Sequence, residues 1–196
     1  ELFFTSVNDG GAGCANCHNG PIFSDSQHHV VAFPQVGPGK GDANADDFGR
    51  ERETNLSDDR YRFRTPSLLN IAQTAPYGHA GAYQTLDEVV RHYTNPEQAV
   101  QNFFRDGGLC GTPQFEAVAN CGNLYPNNAP NSELALDKLD DERRRGVSRF
   151  QSARLNNVEV QQIVTFLEAL TDPCTADRNC LAPWIPDNQD EGPDGQ

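Results

Sequence analysis

The chain has 196 residues, 36% of them hydrophobic, and its 28 acidic residues against 15 basic ones give a formal net charge of -13. That length suits one domain, or one domain with an appendage, and so low an apolar fraction asks for something besides side chains to fill the core. The acidic surface repels nucleic acid and anionic membranes, and no apolar run approaches membrane-spanning length; the charge suits a basic protein partner, although solubility alone accounts for it equally well.

Glu1-Leu2-Phe3-Phe4 reads as the last turn or two of a helix, and Gly10, Gly11 and Gly13 lead flexibly into Cys14-Ala15-Asn16-Cys17-His18. This is C-x-x-C-H, the attachment motif of a c-type haem. Two cysteines about one helical turn apart reach both vinyl groups on one porphyrin edge, and the next residue offers the iron an imidazole nitrogen. A redox C-x-x-C has no need of the histidine, and a zinc knuckle needs a second ligand pair that the chain lacks. The sequence thus predicts one covalent haem c on Cys14 and Cys17 with His18 as axial ligand.

Residues 19–60 are rich in Gly, Pro, Asp and Asn, lack periodicity, and are expected to form a long loop over a haem edge. Within it, Asp42, Asn44, Asp46 and Glu53 fall at ligand positions of a calcium-binding EF-hand loop. Asp47 stands where that loop needs glycine, and Pro38-Gly39-Lys40-Gly41 precedes it where a helix should lie, so solvated acid is a better reading than calcium. Tyr61-Arg62-Phe63-Arg64 reads as extended. Thr65 and Pro66 look like the cap and first position of a helix through Leu68, Leu69, Ile71 and Ala72. Thr85-Leu86-Asp87-Glu88 is a capping box opening a helix that ends near Tyr93 or Thr94, and Asn95 caps another with Pro96 at its start. A charged helix over 133–145 offers Leu134, Leu136 and Leu139 as apolar contacts, and its Arg143-Arg144-Arg145 run balances Asp140, Asp141 and Glu142. Asn156 and Glu159 open a last helix whose Val160, Ile163, Val164, Leu167 and Leu170 form one stripe.

Cys110, Cys121, Cys174 and Cys180 permit three pairings; the local one, Cys110–Cys121 and Cys174–Cys180, is expected because each closes a short loop rich in Gly, Pro or Asn. Disulfides and covalent haem together point to an exported protein, periplasmic or extracellular. No leader precedes Glu1 and the chain has no methionine, which predicts a processed product or a segment of something longer. The expected architecture is all-α: a haem domain over 1–172 with long irregular loops and a disulfide-stapled insertion at about 108–147, then a disulfide-pinned tail over 173–196.

The absence of methionine also removes a usual sixth ligand of electron-transfer haems. His28, His29, His79, His92 and the tyrosines remain. Leu86, Val89, Val90 and Tyr93 share one face of their helix, and that face points at the core. His92 is rotated roughly 100° from Tyr93 and is expected at the rim. Tyr93 therefore either binds the iron or spends its hydroxyl on a carbonyl or propionate, and the residues alone leave both open.

The blocks Gly49-Arg50, Phe63-Arg64-Thr65-Pro66-Ser67-Leu68-Leu69-Asn70, Thr74-Ala75-Pro76-Tyr77-Gly78-His79-Ala80-Gly81 and Thr85-Leu86-Asp87-Glu88-Val89-Val90 with Tyr93 resemble the C-terminal haem domain of bacterial di-haem cytochrome c peroxidases and MauG enzymes. His18-Asn19-Gly20-Pro21-Ile22-Phe23-Ser24-Asp25 and Val164 to Thr171 fit as well. The resemblance covers residues 1 to about 105 and 155 to 172. It implies a cytochrome c core carrying the electron-transferring, six-coordinate haem, whose sixth ligand is methionine in the peroxidases and tyrosine in MauG. Tyr93 stands at that position, and Arg50, Arg64, Pro66 and His79 fall in the motifs that line the pocket. Leu69 and Ala80 replace an arginine and an aspartate of the family pattern. The family's peroxide-reacting haem lies in an N-terminal domain with its own motif, and this chain carries a single motif. The resemblance implies electron transfer with a redox partner protein, or, beside a second haem domain, the relay half of a peroxidase or MauG-like oxidase. A haem-bearing interaction module, making contacts through 108–131 and the tail, is a third reading.

Overall fold

The computed structural model describes residues 1–185; the acidic Pro/Gly end of the expected tail lies outside the described residues. The fold is helix-rich, with seven α-helices among the described residues: α1 (Glu51–Thr54), α2 (Leu86–Thr94), α3 (Pro96–Arg105), α4 (Cys121–Leu124), α5 (Asn128–Arg144), α6 (Asn157–Glu168) and α7 (Arg178–Leu181). It is not purely helical. Strands β1 (His28–His29) and β2 (Phe63–Arg64) pair antiparallel, with His28 opposite Arg64 and His29 opposite Phe63. Gly49 bridges to Arg62 beside them at φ 60°, where a Cβ would meet the Arg62 carbonyl oxygen at 2.7 Å, so this position admits only glycine without a shift. The segment between residues 19 and 60 is otherwise irregular apart from α1 and short 3-10 turns.

Helix α2 starts where its sequence says it should. Thr85 Oγ1 accepts the Glu88 amide at 3.2 Å and Glu88 Oε2 accepts the Thr85 amide at 2.8 Å. Asn156 and Glu159 do the same for α6. Asn95 ends α2 and caps α3 through the Gln98 amide. Such caps satisfy amides that have no partner within the helix.

One apolar cluster joins Leu86 and Val90 of α2 to Val160, Ile163 and Leu167 of α6, with Phe3, Phe33 and Tyr83. Residues 1–5 form a single turn, with the Thr5 amide on the Glu1 carbonyl, and Phe3 packs on Phe166 of α6 with centroids 4.7 Å apart. A second cluster joins Ala135, Leu136 and Leu139 of α5 to Val30, Ala32, Tyr61, Val100 and Phe150. Disulfide Cys110–Cys121 ties the 3-10 turn over Gly108–Gly111 to the start of α4, and Cys174–Cys180 ties the turn over Pro173–Ala176 to α7.

Two expectations need correction here. The helix proposed from Thr65 and Pro66 does not form. The Thr65 amide donates to the Gln27 carbonyl (2.9 Å), Ser67 Oγ to the Ile22 carbonyl (2.7 Å), and Asn70 sits at φ 59°. Long-range partners outbid the local cap, and only a 3-10 turn over Ile71–Gln73 remains. On the charged helix Leu134 is 50% exposed, and the buried face is Ser132, Ala135, Leu136, Leu139 and Glu142. The helix begins at Asn128, and Leu134 lies roughly 100° off the stripe that its true phase sets.

Candidate haem site

Cys14–Asn16 is a 3-10 turn entered through Gly13 at φ 65°, and the His18 amide closes on the Cys14 carbonyl at 2.9 Å. This turn gathers Cys14, Cys17 and His18, and the two thiols are the cysteines left outside the disulfides. Burial pushes the Cys14 thiol up to about 12, and burial followed by the nearby Asp25 raises Cys17. Both are therefore protonated thiols in the polypeptide alone.

His18 Nδ1 lies 2.9 Å from the Phe23 carbonyl oxygen. A carbonyl only accepts, so Nδ1 carries the proton and Nε2 keeps its lone pair. Burial lowers the His18 pKa, with the Phe23 hydrogen bond opposing it. The Phe23 loop is fixed from the far side: Ser24 Oγ donates to the Thr65 carbonyl at 2.7 Å and Ser67 Oγ to the Ile22 carbonyl. The family-like run around Pro66 is thus a strap behind His18, and the Pro66 main chain faces the imidazole.

Tyr93 projects from the last turn of α2 between Phe33 and Phe150, with centroids at 5.8 and 5.5 Å. Burial, then the Cys14 and Cys17 thiols, raises its pKa, and Tyr93 and Cys14 pack against the same apolar cluster. Tyr61, Tyr77 and Tyr83 give their hydroxyls to Asp46, the Ile71 carbonyl and His92. The Tyr93 hydroxyl makes no hydrogen bond among the described residues.

These residues fit a covalently held haem. Two thiols outside the disulfides at the right spacing, a histidine with its tautomer fixed by a carbonyl, and a phenol with no hydrogen bond among the described residues lie around one apolar cluster. Cys14, Ala15, Phe23 and Tyr93 all border the main apolar cluster.

The other expected pocket residues lie apart from this group. His79 stacks on Phe63 at 3.9 Å and its Nε2 lies 3.3 Å from Gln35 Oε1; burial, then Lys40, pushes its pKa down to about 4. Arg50 and Arg64 line an open cleft of about 430 Å³ with His28, Arg62 and Phe63. Arg50 donates to His28 Nδ1 at 2.9 Å and pairs with Asp59 at 3.2 Å. Two acids of the calcium-like loop are engaged within the protein: Asp42 Oδ2 accepts the Phe48 amide, and Asp46, 2% exposed, accepts the Tyr61 hydroxyl at 2.6 Å.

His92 is not at the rim. It is fully buried, stacked on Phe33 at 4.3 Å, with Nδ1 3.0 Å from the Tyr83 hydroxyl and Nε2 2.7 Å from the Val31 carbonyl oxygen. The Val30–Phe33 segment covers that side of α2, and nothing in its irregular sequence announces this. Asp25, in the block after the haem motif, and His29, one of the candidate ligands, are brought together by the fold, a pairing the sequence does not announce. They hydrogen-bond at 2.8 Å and lie with Cys17 inside a 4.8 Å group, and Arg149 pairs with Asp25 at 3.4 Å. The alternation of His28 and His29 along a strand is the signal that separates them, since it sends His29 to the haem-motif side and His28 to the cleft.

No protein-family model matches the chain. It is 31% identical over 133 residues to the cytochrome-c peroxidase IdrP1 of Pseudomonas sp. (strain SCT), covering 56% of this chain and 32% of that protein. It is 34% identical over 86 residues to the methylamine utilization protein MauG of Methylorubrum extorquens, covering 43% of this chain and 22% of that one. The fold matches that of a MauG-like protein associated with microbial copper homeostasis, with a TM-score of 0.54 and 22% identity over 94% of this chain and 49% of that chain. The chain thus spans a third or less of the curated relatives just named, and about half of the structural one. Motif, geometry and these likenesses agree: the chain is related to the bacterial cytochrome c peroxidases and MauG proteins.

Proposed function

We propose that this chain is a c-type haem electron-transfer domain, built like the C-terminal haem domain of the di-haem peroxidases and MauG. Cys14 and Cys17 would hold the haem, and His18 and Tyr93 would be the residues that bind its iron. The haem supplies one-electron chemistry at its iron; the protein's part is to hold both axial positions and exclude small molecules from them. The Phe23 carbonyl keeps the His18 Nε2 lone pair available. The observation that carries the reading is Tyr93, a half-buried phenol packed on the same apolar cluster as Cys14, with its hydroxyl uncommitted among the described residues. In the polypeptide alone its raised pKa keeps the proton on, so tyrosinate there depends on a nearby cation. An anionic oxygen ligand favours ferric iron and a low potential. The two disulfides support an exported compartment, and a haem held in this way would exchange electrons with a protein partner.

The test is a pyridine haemochrome and intact mass for one haem, with the ferric visible and EPR spectra of wild type and Tyr93→Phe. The variant should lose the low-energy charge-transfer features and turn high-spin or recruit a histidine. An unchanged spectrum sinks Tyr93 as ligand. A second reading, the electron-relay half of a peroxidase or MauG-like oxidase, is favoured by the peroxidase relatives of which this chain spans only a part. It needs a second haem on another segment or partner. Steady peroxide turnover by this chain alone, with a reducing donor, would overturn the first reading.

A further inference from the structure

Tyr93 has two immediate supports that its ligand role does not explain. His92 precedes it in the chain and is fully buried, and Tyr83 is 4% exposed. The Val31 carbonyl oxygen, 2.7 Å from His92 Nε2, can only accept, so Nε2 carries the imidazole proton. Nδ1 is then bare and accepts the Tyr83 hydroxyl at 3.0 Å. The result is a directional line from the Tyr83 hydroxyl through His92 to the main chain of Val31, with every buried polar atom on it satisfied. Phe33 belongs to the same assembly. It lies nearly flat on His92 (4.3 Å, 22°) and meets Tyr93 edge-on (5.8 Å, 72°). On the other side, the Tyr93 carbonyl accepts the Ala153 amide at 3.0 Å.

A phenol with no hydrogen bond of its own takes its direction from the backbone that carries it and the rings that touch it. We infer that Tyr83 and His92 are positioning residues for Tyr93: by tying the last turn of α2 to the Val31 main chain, and Phe33 with it, they aim the Tyr93 hydroxyl. The inference rests on the Tyr93 ligand reading proposed above. It differs from a plain buried-histidine role in that the hydrogen bonds, and not only the packing volume, should govern the ligand geometry.

The experiment uses the haem-loaded full chain with Tyr83→Phe, His92→Gln and His92→Leu. Readouts are the ferric EPR and visible spectra, the midpoint potential and a thermal melt. Tyr83→Phe keeps the ring and removes only the hydroxyl. It should melt close to wild type yet show shifted or split low-spin EPR signals and a raised midpoint potential. His92→Gln can accept from Tyr83 through Oε1 and donate to Val31 through Nε2, so it should retain the wild-type signature, whereas His92→Leu should lose it. Wild-type spectra and potential in Tyr83→Phe overturn the inference, and so does a glutamine variant that behaves like the leucine one. If His92→Leu does not fold, Tyr83→Phe decides alone. A wild-type protein without tyrosinate charge-transfer features overturns the ligand reading and this inference together; wild-type features that Tyr83→Phe leaves unmoved overturn only this one.

Discussion

Glu142 of α5 receives both Nε and Nη2 of Arg62 on one carboxylate oxygen, at 3.0 and 2.9 Å. The pair ties the longest helix to the backbone just before β2, and Glu142 is only 3% exposed. Removing one member of a buried pair leaves the other charge without compensation, so Arg62→Ala is expected to cost about 3 kcal/mol. Arg62→Ala combined with Glu142→Gln should recover part of that. Urea denaturation of the two variants measures the difference, and an equal loss in both would show that the charge is not what matters.

Burial pushes the His92 pKa from 6.5 down to about 4. Between those values the unfolded chain binds a proton that the folded one refuses, so stability rises with pH. The contribution is complete above about pH 6.5 and is lost as pH falls toward 4, a total of roughly 3 kcal/mol. His92→Gln should flatten the change in urea midpoint between pH 7.5 and pH 4.5. A midpoint difference matching wild type would assign the acid sensitivity to other groups.

The Cys110–Cys121 bond closes a loop of 11 residues, and Cys121 is buried. Replacing both cysteines by serine should cost about 3 kcal/mol through the freedom restored to the unfolded chain. The Cys174–Cys180 bond closes only 6 residues around an exposed helical turn. Its removal should leave the melting temperature of the main transition nearly unchanged and register as faster proteolysis at the C-terminal end. Calorimetry with limited proteolysis separates the two.

Asn156 Oδ1 accepts the amides of Val158 and Glu159 at 2.9 and 3.1 Å. Asn156→Ala is expected to cost about 1 kcal/mol. Because α6 packs on α2, the loss should appear in the global transition rather than as fraying of one helix. Hydrogen exchange of the α6 amides against chemical denaturation distinguishes these.

Local chemistry was readable from the sequence, and long-range chemistry was not. The haem motif and the capping boxes at Thr85 and Asn156 depend on residues within a few positions of one another, and the structure forms those boxes. The face carrying Leu86 and Val90 was legible for the same reason. The Thr65–Ala72 stretch had an equally good local cap, but Gln27 and Ile22, some 40 residues away, took its donors. His92 was sent to the rim because periodicity sees one buried face, whereas the Val30–Phe33 segment buries a second. Leu134 lies off the face that Ser132, Ala135, Leu136 and Leu139 share, and small or polar residues on that face hide it from a reading by apolar residues alone. For the candidate site, Cys14, Cys17 and His18 follow from spacing. The proposal of Tyr93 rests on periodicity together with family position, while the pairing of Tyr83 with His92 and of Asp25 with His29 depends on tertiary neighbours.

The contact between Phe3 and Phe166 has a consequence for the order of events during synthesis. The helix that closes beside the cysteine pair is translated about 150 residues after it. At typical elongation rates that gap lasts on the order of ten to thirty seconds. Throughout it the thiols are reachable by anything that acts on an extended chain, and folding thereafter depends on joining the two ends of a long loop, a slow, high-contact-order step. Covalent attachment before that closure would meet open thiols, whereas attachment afterwards would have to enter a packed core.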